Sequence, residues 1–552
     1  MSATAVDGAP RWRDRLGRSA WTGSALVTAV LVVVPVAMLA TSLLHPNGEV
    51  WRRQWDTRLP GEIFDTVVLL LGVGVGTVVL GAGLAWLVTA YRFPGVRVLA
   101  WMLILPLAMP GYILGFLTLS VIGFTGPIQG QWRDWFGQDA WFPDVQSLGG
   151  AIVVFTLVLY PYVYVMTRAA LRDQAAGAYH AARTLGATPS EAARRIVFPL
   201  VRPAVAAGAA VVMMETLTDF ATVQYFDVDT VSYGVFRIWR GTYDRDAASE
   251  FATLVLMFAL VVIGLERAAR GRARFGEAGG AEAGFEPRRL TGWRAFAATA
   301  GCLGVIGAAF AGPVVQLVVW ATREQLGDRG TPQLDRFLEY LGNSIQLAVV
   351  TVLVCVGVAV VITNAERFGR ARTTRLANRF TAVGYAVPGP VVAIGVLLAL
   401  VALDDALGRI GLGLPGVVAT GSFLALVYAY AVRFLAPGMN AVESGLQQVP
   451  EEMTASARSL GAPPRRVATR VHLPLSKASL ATAVVLVGVD ALKELPIVLL
   501  LRPFGFDTLP VWVYNLASES RFQQAALPAL SIVTVALVPV LLLSRRLDRN
   551  LP

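Results

Sequence analysis

Residues 180–200, HAARTLGATPSEAARRIVFPL, and residues 455–475, ASARSLGAPPRRVATRVHLPL, are two copies of one stretch. Leu185-Gly186-Ala187 aligns with Leu460-Gly461-Ala462, and Phe198-Pro199-Leu200 with Leu473-Pro474-Leu475, all at an offset of 275 residues. In the first copy Ala181, Ala182 and Leu185 recur at helical spacing, and Gly186 then supplies the left-handed conformation that closes a helix. Thr188-Pro189-Ser190-Glu191 follows in the form of a capping box with proline at the first helical position, predicting a second short helix through Ala192, Ala193, Ile196 and Val197. The second copy has Ala457, Leu460 and Gly461, then Pro463-Pro464, which stops one helix and permits the next without offering a side-chain cap. The same helix–turn–helix is therefore written twice.

Outward from these stretches the chain is apolar. Of its 552 residues 55% are hydrophobic and 15% charged, with a mean hydropathy of +0.59, outside the range of ordinary soluble domains. A helix needs ~20 apolar residues to cross a ~30 Å hydrocarbon layer. Twelve runs qualify: 21–44, 64–90, 98–122, 151–167, 204–225, 251–266, 295–320, 342–364, 380–403, 414–432, 479–501 and 525–543. Arg92-Phe93 matches Arg367-Phe368 at the same offset, and Pro110-Gly111 matches Pro388-Gly389 at 278, so a small indel separates the copies. Six spans per half is an even number, which gives both copies the same polarity in the membrane, a parallel repeat. The expected division is a segment 1–20, a first six-helix domain 21–266, a polar Gly- and Arg-rich linker 267–294, a second domain 295–543 and a tail 544–552. Although Arg11, Arg13, Arg15 and Arg18 precede the first run, its core from Trp21 to Leu44 is too long for a secretion signal and reads as a retained span.

Lys and Arg residues accumulate in short cytoplasmic loops. With the N-terminus inside, 33 of the 47 basic residues fall in inside segments, 13 outside and one, Lys493, within a span. This places both termini and both repeated stretches in the cytosol, and the predominance of Arg over Lys, with abundant Ala, Gly and Val, suggests a bacterial source for the membrane. The net charge of +10 is spread over these loops and is not gathered on one face with aromatic residues, which argues against nucleic acid as a partner. Cys302 and Cys355 lie in apolar runs and show no metal-ligand or disulfide spacing. His45, His180 and His472 stand isolated from any partner at catalytic or ligand spacing, so an enzyme has little support. No Gly-Lys-Ser/Thr is present, hence no phosphate-cradling loop and no ATP or magnesium site in this chain.

The duplicated stretch resembles the permease signature of binding-protein-dependent ATP-binding-cassette importers, whose pattern is Glu-Ala-Ala, three residues, Gly, nine residues, Ile, any residue, Leu-Pro. Here it reads His180-Ala181-Ala182, Gly186, Ile196 to Pro199, and Ala455-Ser456-Ala457, Gly461, Val471 to Pro474. Both copies keep the spacing, the Gly and the Pro, and neither keeps the leading Glu. The resemblance implies an all-α polytopic fold of two tandem six-helix permease domains of the type I importer kind. It also implies two copies of a separate ATPase carrying ATP and magnesium, which dock on these loops, and a soluble binding protein that presents the substrate. Two further stretches, Glu215 to Phe226 and Lys493 to Pro503, look like the ferric-iron branch of this family, with thiamine, phosphonate and polyamine permeases as related alternatives.

Glu215, Asp219, Asp490 and Glu494 lie midway along the fifth and eleventh spans and correspond at the 275 offset. Four residues apart in each copy, the two carboxylates are expected to share a helix face and, at that depth, to turn toward the bundle interior or water. They either line the passage or, with Lys493, form an ion-pair network that locks the halves. In a proton- or sodium-coupled secondary transporter, the competing class, they would be the coupling sites; such a protein does not account for two Gly-hinged loops of matched spacing.

Overall fold

A computed structural model of the chain describes residues 11–42, 48–172, 176–242, 245–270, 287–326, 334–369, 371–382, 384, 387–411 and 421–548. The first repeat contributes α1 (Arg11–Ser42), α2 (Gly48–Thr57), α3 (Leu59–Ala90), α4 (Val96–Met102), α5 (Gly111–Ile122), α6 (Pro127–Phe136), α7 (Leu148–Ala170), α8 (Ala176–Thr184), α9 (Pro189–Ala192), α10 (Phe198–Thr218), α11 (Phe220–Tyr225), α12 (Val231–Thr242) and α13 (Arg245–Arg270). The second contributes α14 (Gly292–Ile306), α15 (Gly312–Leu326), α16 (Leu334–Phe368), α17 (Ala371–Thr381), α18 (Gly389–Arg409), α19 (Phe423–Gln447), α20 (Glu451–Ser459), α21 (Pro464–Val467), α22 (Leu473–Leu475), α23 (Lys477–Lys493), α24 (Pro496–Leu501), α25 (Leu509–Ser518) and α26 (Phe522–Asp548). Two short strands, β1 (Tyr91–Arg92) and β2 (Arg288–Arg289), pair in parallel. The outer parts of the 1–20 and 544–552 segments, most of the 267–294 linker and the start of the run 414–432 lie outside the described residues.

Among the described residues eleven helical stretches are long and apolar enough to cross a membrane, and a twelfth is the bent pair 464–475 and 477–493. The protein is thus an all-α, multi-pass membrane protein. Three of the expected spans are not single helices. The run 98–122 breaks after α4 into a 3-10 turn, Leu105–Ala108, before α5 begins at Gly111, because Pro106 and Pro110 have no N–H to continue the ladder. The runs 204–225 and 479–501 break at Asp219 and at Glu494-Leu495. The run 380–403 begins its helix only at Gly389.

The chain packs into two compact units whose limits are not those of the sequence repeat. One unit gathers residues 1–45 with 341–507, the other residues 46–340 with 508–552. In the first, α1 from the opening of the chain lies against α17 and α18. Trp21 meets Phe368 with ring centroids 5.6 Å apart, and Ala25 and Ala29 pack on Ala365 and Ala377. In the second unit α7 packs on α3 and α10, and α15 packs on α26.

Breaks and prolines inside a bilayer leave carbonyls that water cannot reach. Side chains from neighbouring helices meet them. Where α4 ends, Tyr160 on α7 donates its hydroxyl to Leu103 O at 2.8 Å and Tyr164 donates to Ala100 O at 2.7 Å. In α1, Pro35 cannot donate to the carbonyl four residues back, and the Tyr428 hydroxyl donates to that atom, Leu31 O, at 2.6 Å. Tyr428→Phe is therefore expected to cost ~1–3 kcal/mol by orphaning the Leu31 carbonyl. Thermal unfolding in lipid nanodiscs measures it; an unchanged midpoint would show that the carbonyl has another partner.

Candidate functional site

The duplicated stretch folds as its sequence predicts. α8 closes at Gly186, φ +89°, and α20 at Gly461, φ +79°. In both, the residue after the glycine reaches back to the carbonyl one residue before the one the glycine bonds. Ala187 N–H donates to Ala182 O and Gly186 N–H to Arg183 O; Ala462 N–H donates to Ala457 O and Gly461 N–H to Arg458 O. A methyl group at either glycine would meet no atom within 4 Å, so the backbone angle, and not close packing, demands glycine. The expected capping box is formed: Glu191 N–H donates to Thr188 Oγ1 at 3.3 Å, and Thr188 N–H donates to Glu191 Oε2 at 3.0 Å. Leu185 and Leu460 stand at the two turns 87% and 88% exposed, an apolar residue offered to solvent at the same place in each repeat. Ala181, Ala455 and Ser456 are also exposed, His180 and Ala457 are half-buried, and Ala182 is buried against the loop itself.

After α9 and α21 each copy widens into one π-helical turn, Ala193–Val197 and Ala468–His472. Ile196 and Val471, both half-buried, lie on these turns, and the prolines Pro199 and Pro474 come two residues after them. The first copy then runs on into α10, whereas the second bends by 80° between α22 and α23. Here one sequence expectation fails, because His472 is not isolated. Its buried ring donates through Nδ1 to Asn364 Oδ1 at 2.6 Å, accepts at Nε2 from the Thr454 hydroxyl at 2.9 Å, and stacks on Phe368. Arg367 beside it donates to Leu446 O, Val449 O and Thr454 Oγ1. Both short helices of the second loop are thus tied to the end of α16.

Asp219 and Glu494 do not lie midway along a continuous helix: each stands where its span breaks. Asp219 sits in the break, capping α11: its Oδ1 accepts from Thr222 N–H at 3.0 Å and its Oδ2 from the Thr222 hydroxyl at 2.5 Å. A carboxylate with two oxygens can hold the start of a helix in this way, so the backbone turns at Asp219 and Glu215 stays behind on α10. Glu494 plays the matching part, its Oε1 accepting from Ile497 N–H at 3.2 Å at the start of α24, where Pro496 has no N–H to give. Each carboxylate also lies against the first residue of another helix. A methyl group on Gly111 would collide with Asp219 Oδ2, and one on Gly389 would sit 3.1 Å from Glu494 Oε1. The repeated Pro-Gly pairs therefore open α5 and α18 directly against the two acids.

The copies differ in charge balance. Glu494 Oε2 lies 3.4 Å from Arg433 Nε with both side chains buried, and Lys493 pairs with Asp490 on its own helix at 2.8 Å. Lys493 thus finds its acid within its own repeat. Arg433 escaped notice because it falls one residue beyond the run 414–432; in the structure it is inside α19, and an arginine within an apolar helix was the signal. No group of three or more His, Cys, Asp or Glu side chains placed to hold a metal occurs among the described residues.

Two outcomes follow from this geometry. Gly186→Val and Gly461→Val should each abolish transport while leaving the protein inserted, and Gly→Asn, which tolerates positive φ, should preserve most of it; equal loss in both would remove the backbone angle from the mechanism. Glu494→Gln strands Arg433 and should destabilise by ~3–5 kcal/mol, whereas Asp219→Asn keeps a capping oxygen and should cost under ~1 kcal/mol. Thermal stability of the two variants side by side decides this, and equal losses would refute the asymmetry.

The family model for the binding-protein-dependent transport system inner membrane component matches residues 77–267 and again 354–551. Among curated relatives, the ferric-iron transport system permease protein FbpB 2 of Haemophilus influenzae is 22% identical over 88% of this chain and 90% of its own length. The sulfate transport system permease protein CysT of Salmonella typhimurium is 28% identical over 44% of this chain and 87% of its own. A putative 2-aminoethylphosphonate permease protein, PhnU of Salmonella choleraesuis, is 25% identical over 43% and 84%. A solved bacterial alginate ABC transporter aligns at a TM-score of 0.37 and 16% identity over 47% of this chain and 94% of its own. Matched twice over more than half its length, this chain belongs to the family of inner membrane components of binding-protein-dependent transport systems.

Proposed function

We infer that this chain is a two-domain membrane permease of a bacterial ATP-driven importer, with ferric iron as its cargo. The observation that carries the importer reading is the doubled loop, in which a positive-φ glycine, a bared leucine and a π turn recur at matched positions. Two copies of one ATPase, bringing ATP and magnesium, each take one loop. The energy of their closure passes from α8–α9 into α10 and from α20–α21 into α23, the helices that end at Asp219 and Glu494. A soluble binding protein presents the cargo on the opposite face. The excess of basic residues supports a cytosolic position for both loops and both termini.

Ferric iron is favoured because the ferric-iron relative is matched through both repeats, while the sulfate and aminoethylphosphonate relatives are matched over less than half of this chain. Oxygen donors suit this hard cation. The higher local identity of the sulfate permease makes an oxyanion the competing cargo.

The permease reconstituted in proteoliposomes with its ATPase should hydrolyse ATP several-fold faster when a ferric-loaded binding protein is added. Sulfate-, phosphonate-, thiamine- or polyamine-loaded proteins should have no such effect. Stimulation by one of those in place of iron would replace the cargo and keep the importer; no stimulation by any, with uptake driven by a proton or sodium gradient, would end the importer reading. Reporter fusions after Gly186, Leu290 and Gly461 should all report the cytosol, and an external signal from either loop would be incompatible with an ATPase docked there.

A further inference from the structure

The linker returns to the body of the protein at β2, and it does so by placing like charges together. In the parallel pair β1–β2 the partners are Tyr91 with Arg288 and Arg92 with Arg289, anchored by Leu290 N–H donating to Arg92 O at 2.8 Å. Partnered residues leave a ladder on the same face, and like charges set opposite one another are unfavourable. α14 then begins, adding Arg294, whose guanidinium carbon lies 6.0 Å from the Trp293 ring centroid. The Thr299 hydroxyl donates to Pro94 O, holding α14 beside the turn that follows β1. Arg92, Arg288, Arg289 and Arg294 are all exposed, and among the described residues none of them takes part in an ion pair.

We propose that Arg92 and Arg289, side by side on one face of the ladder, form with Arg294 a binding site for the headgroup of an anionic phospholipid. Three features select a lipid over a protein partner. Trp293 and Phe296, each 75% exposed, lie on the first turns of α14, so aromatic surface for acyl chains and headgroup depth adjoins the guanidinium groups. The cluster stands at the ends of two stretches long and apolar enough to cross a membrane, 59–90 and 292–324, where a span meets the headgroup region. The equivalent arginine of the second repeat, Arg367, is consumed by Leu446 O, Val449 O and Thr454, so this is not a property of the repeat in general. Arginine forks suit phosphate oxygens, and a phosphodiester supplies the counter-charge that the ladder lacks.

Native mass spectrometry of the complete detergent-purified permease, titrated with phosphatidylglycerol or phosphatidylcholine of the same acyl chains, tests this. Wild type should retain phosphatidylglycerol at concentrations where phosphatidylcholine washes away. Arg92→Gln/Arg289→Gln/Arg294→Gln should weaken that retention by at least about tenfold. Arg372→Gln/Arg375→Gln/Arg379→Gln, which removes the same charge from exposed positions of α17, should leave it unchanged. Arg92→Lys/Arg289→Lys/Arg294→Lys should keep part of the binding and guards against a misfolded glutamine triple. Equal weakening by both glutamine triples, equal retention of the two lipids, or loss of a co-purifying ATPase with phosphatidylglycerol retained would each overturn the site. The site rests on the reading of this chain as bilayer-spanning, not on its orientation. An impermeant maleimide on Thr291→Cys reads the orientation separately: labelling from outside would sink the importer topology while leaving the lipid titration to stand by itself.

Discussion

Hydrocarbon offers a peptide group nothing to bond with, and the architecture of this protein depends on how its broken helices answer that constraint. An unbroken span satisfies its own backbone. The runs at 98–122, 204–225 and 479–501 do not, and each break is met by a side chain carrying an oxygen. Tyr160 and Tyr164 supply hydroxyl donors to carbonyls at the end of α4, while Asp219 and Glu494 supply acceptors to amides at the start of α11 and α24. The two acids are thus structural before they are anything else. Their position between helix N-termini lets the partial positive charge of those ends offset a carboxylate at membrane depth.

The repeat has diverged where its acids are concerned. In the second copy a buried arginine neutralises Glu494, and an i,i+3 pair neutralises Asp490. In the first, Asp219 is held by Thr222 and by helix starts. Buried ion pairs are strongly destabilised by losing one member, so the second break is the more sensitive of the two to loss of its acid. The loops have diverged too, with a buried His–Asn–Thr triplet on one side and a capping box on the other.

How much of this could be read from the sequence depended on how local the cause was. Gly186, Gly461 and the Thr188–Glu191 box announce themselves because turn and cap geometry is decided within five residues. The spans were legible from length and apolarity, except where Pro106, Pro110 and Pro496 cut them, and those prolines were in plain view. The placing of Asp219 midway along one helix was wrong because helical spacing presumes a helix, and whether an aspartate continues a helix or caps the next is decided by what packs against it, here Gly111. Arg433 and His472 found partners 61 and 108 residues away, Glu494 and Asn364, at separations on which no local pattern reports.

The crossing of the repeat boundary by the compact units has a consequence for how the chain is made. Leu31 is bonded by Tyr428, so a contact that completes α1 joins residues 397 positions apart. Synthesis proceeds from the N-terminus, and α1 must wait in the membrane for most of the chain to be inserted before its partners exist. A soluble protein with so late a closure would expose a sticky helix and risk aggregation. In a bilayer the waiting helix is already in a good solvent, because lipid tails are as apolar as the residues it will later touch. Interleaved units of this kind are therefore cheap to assemble in a membrane, and a cut of the gene at the linker would yield two fragments, each still needing helices that the other carries.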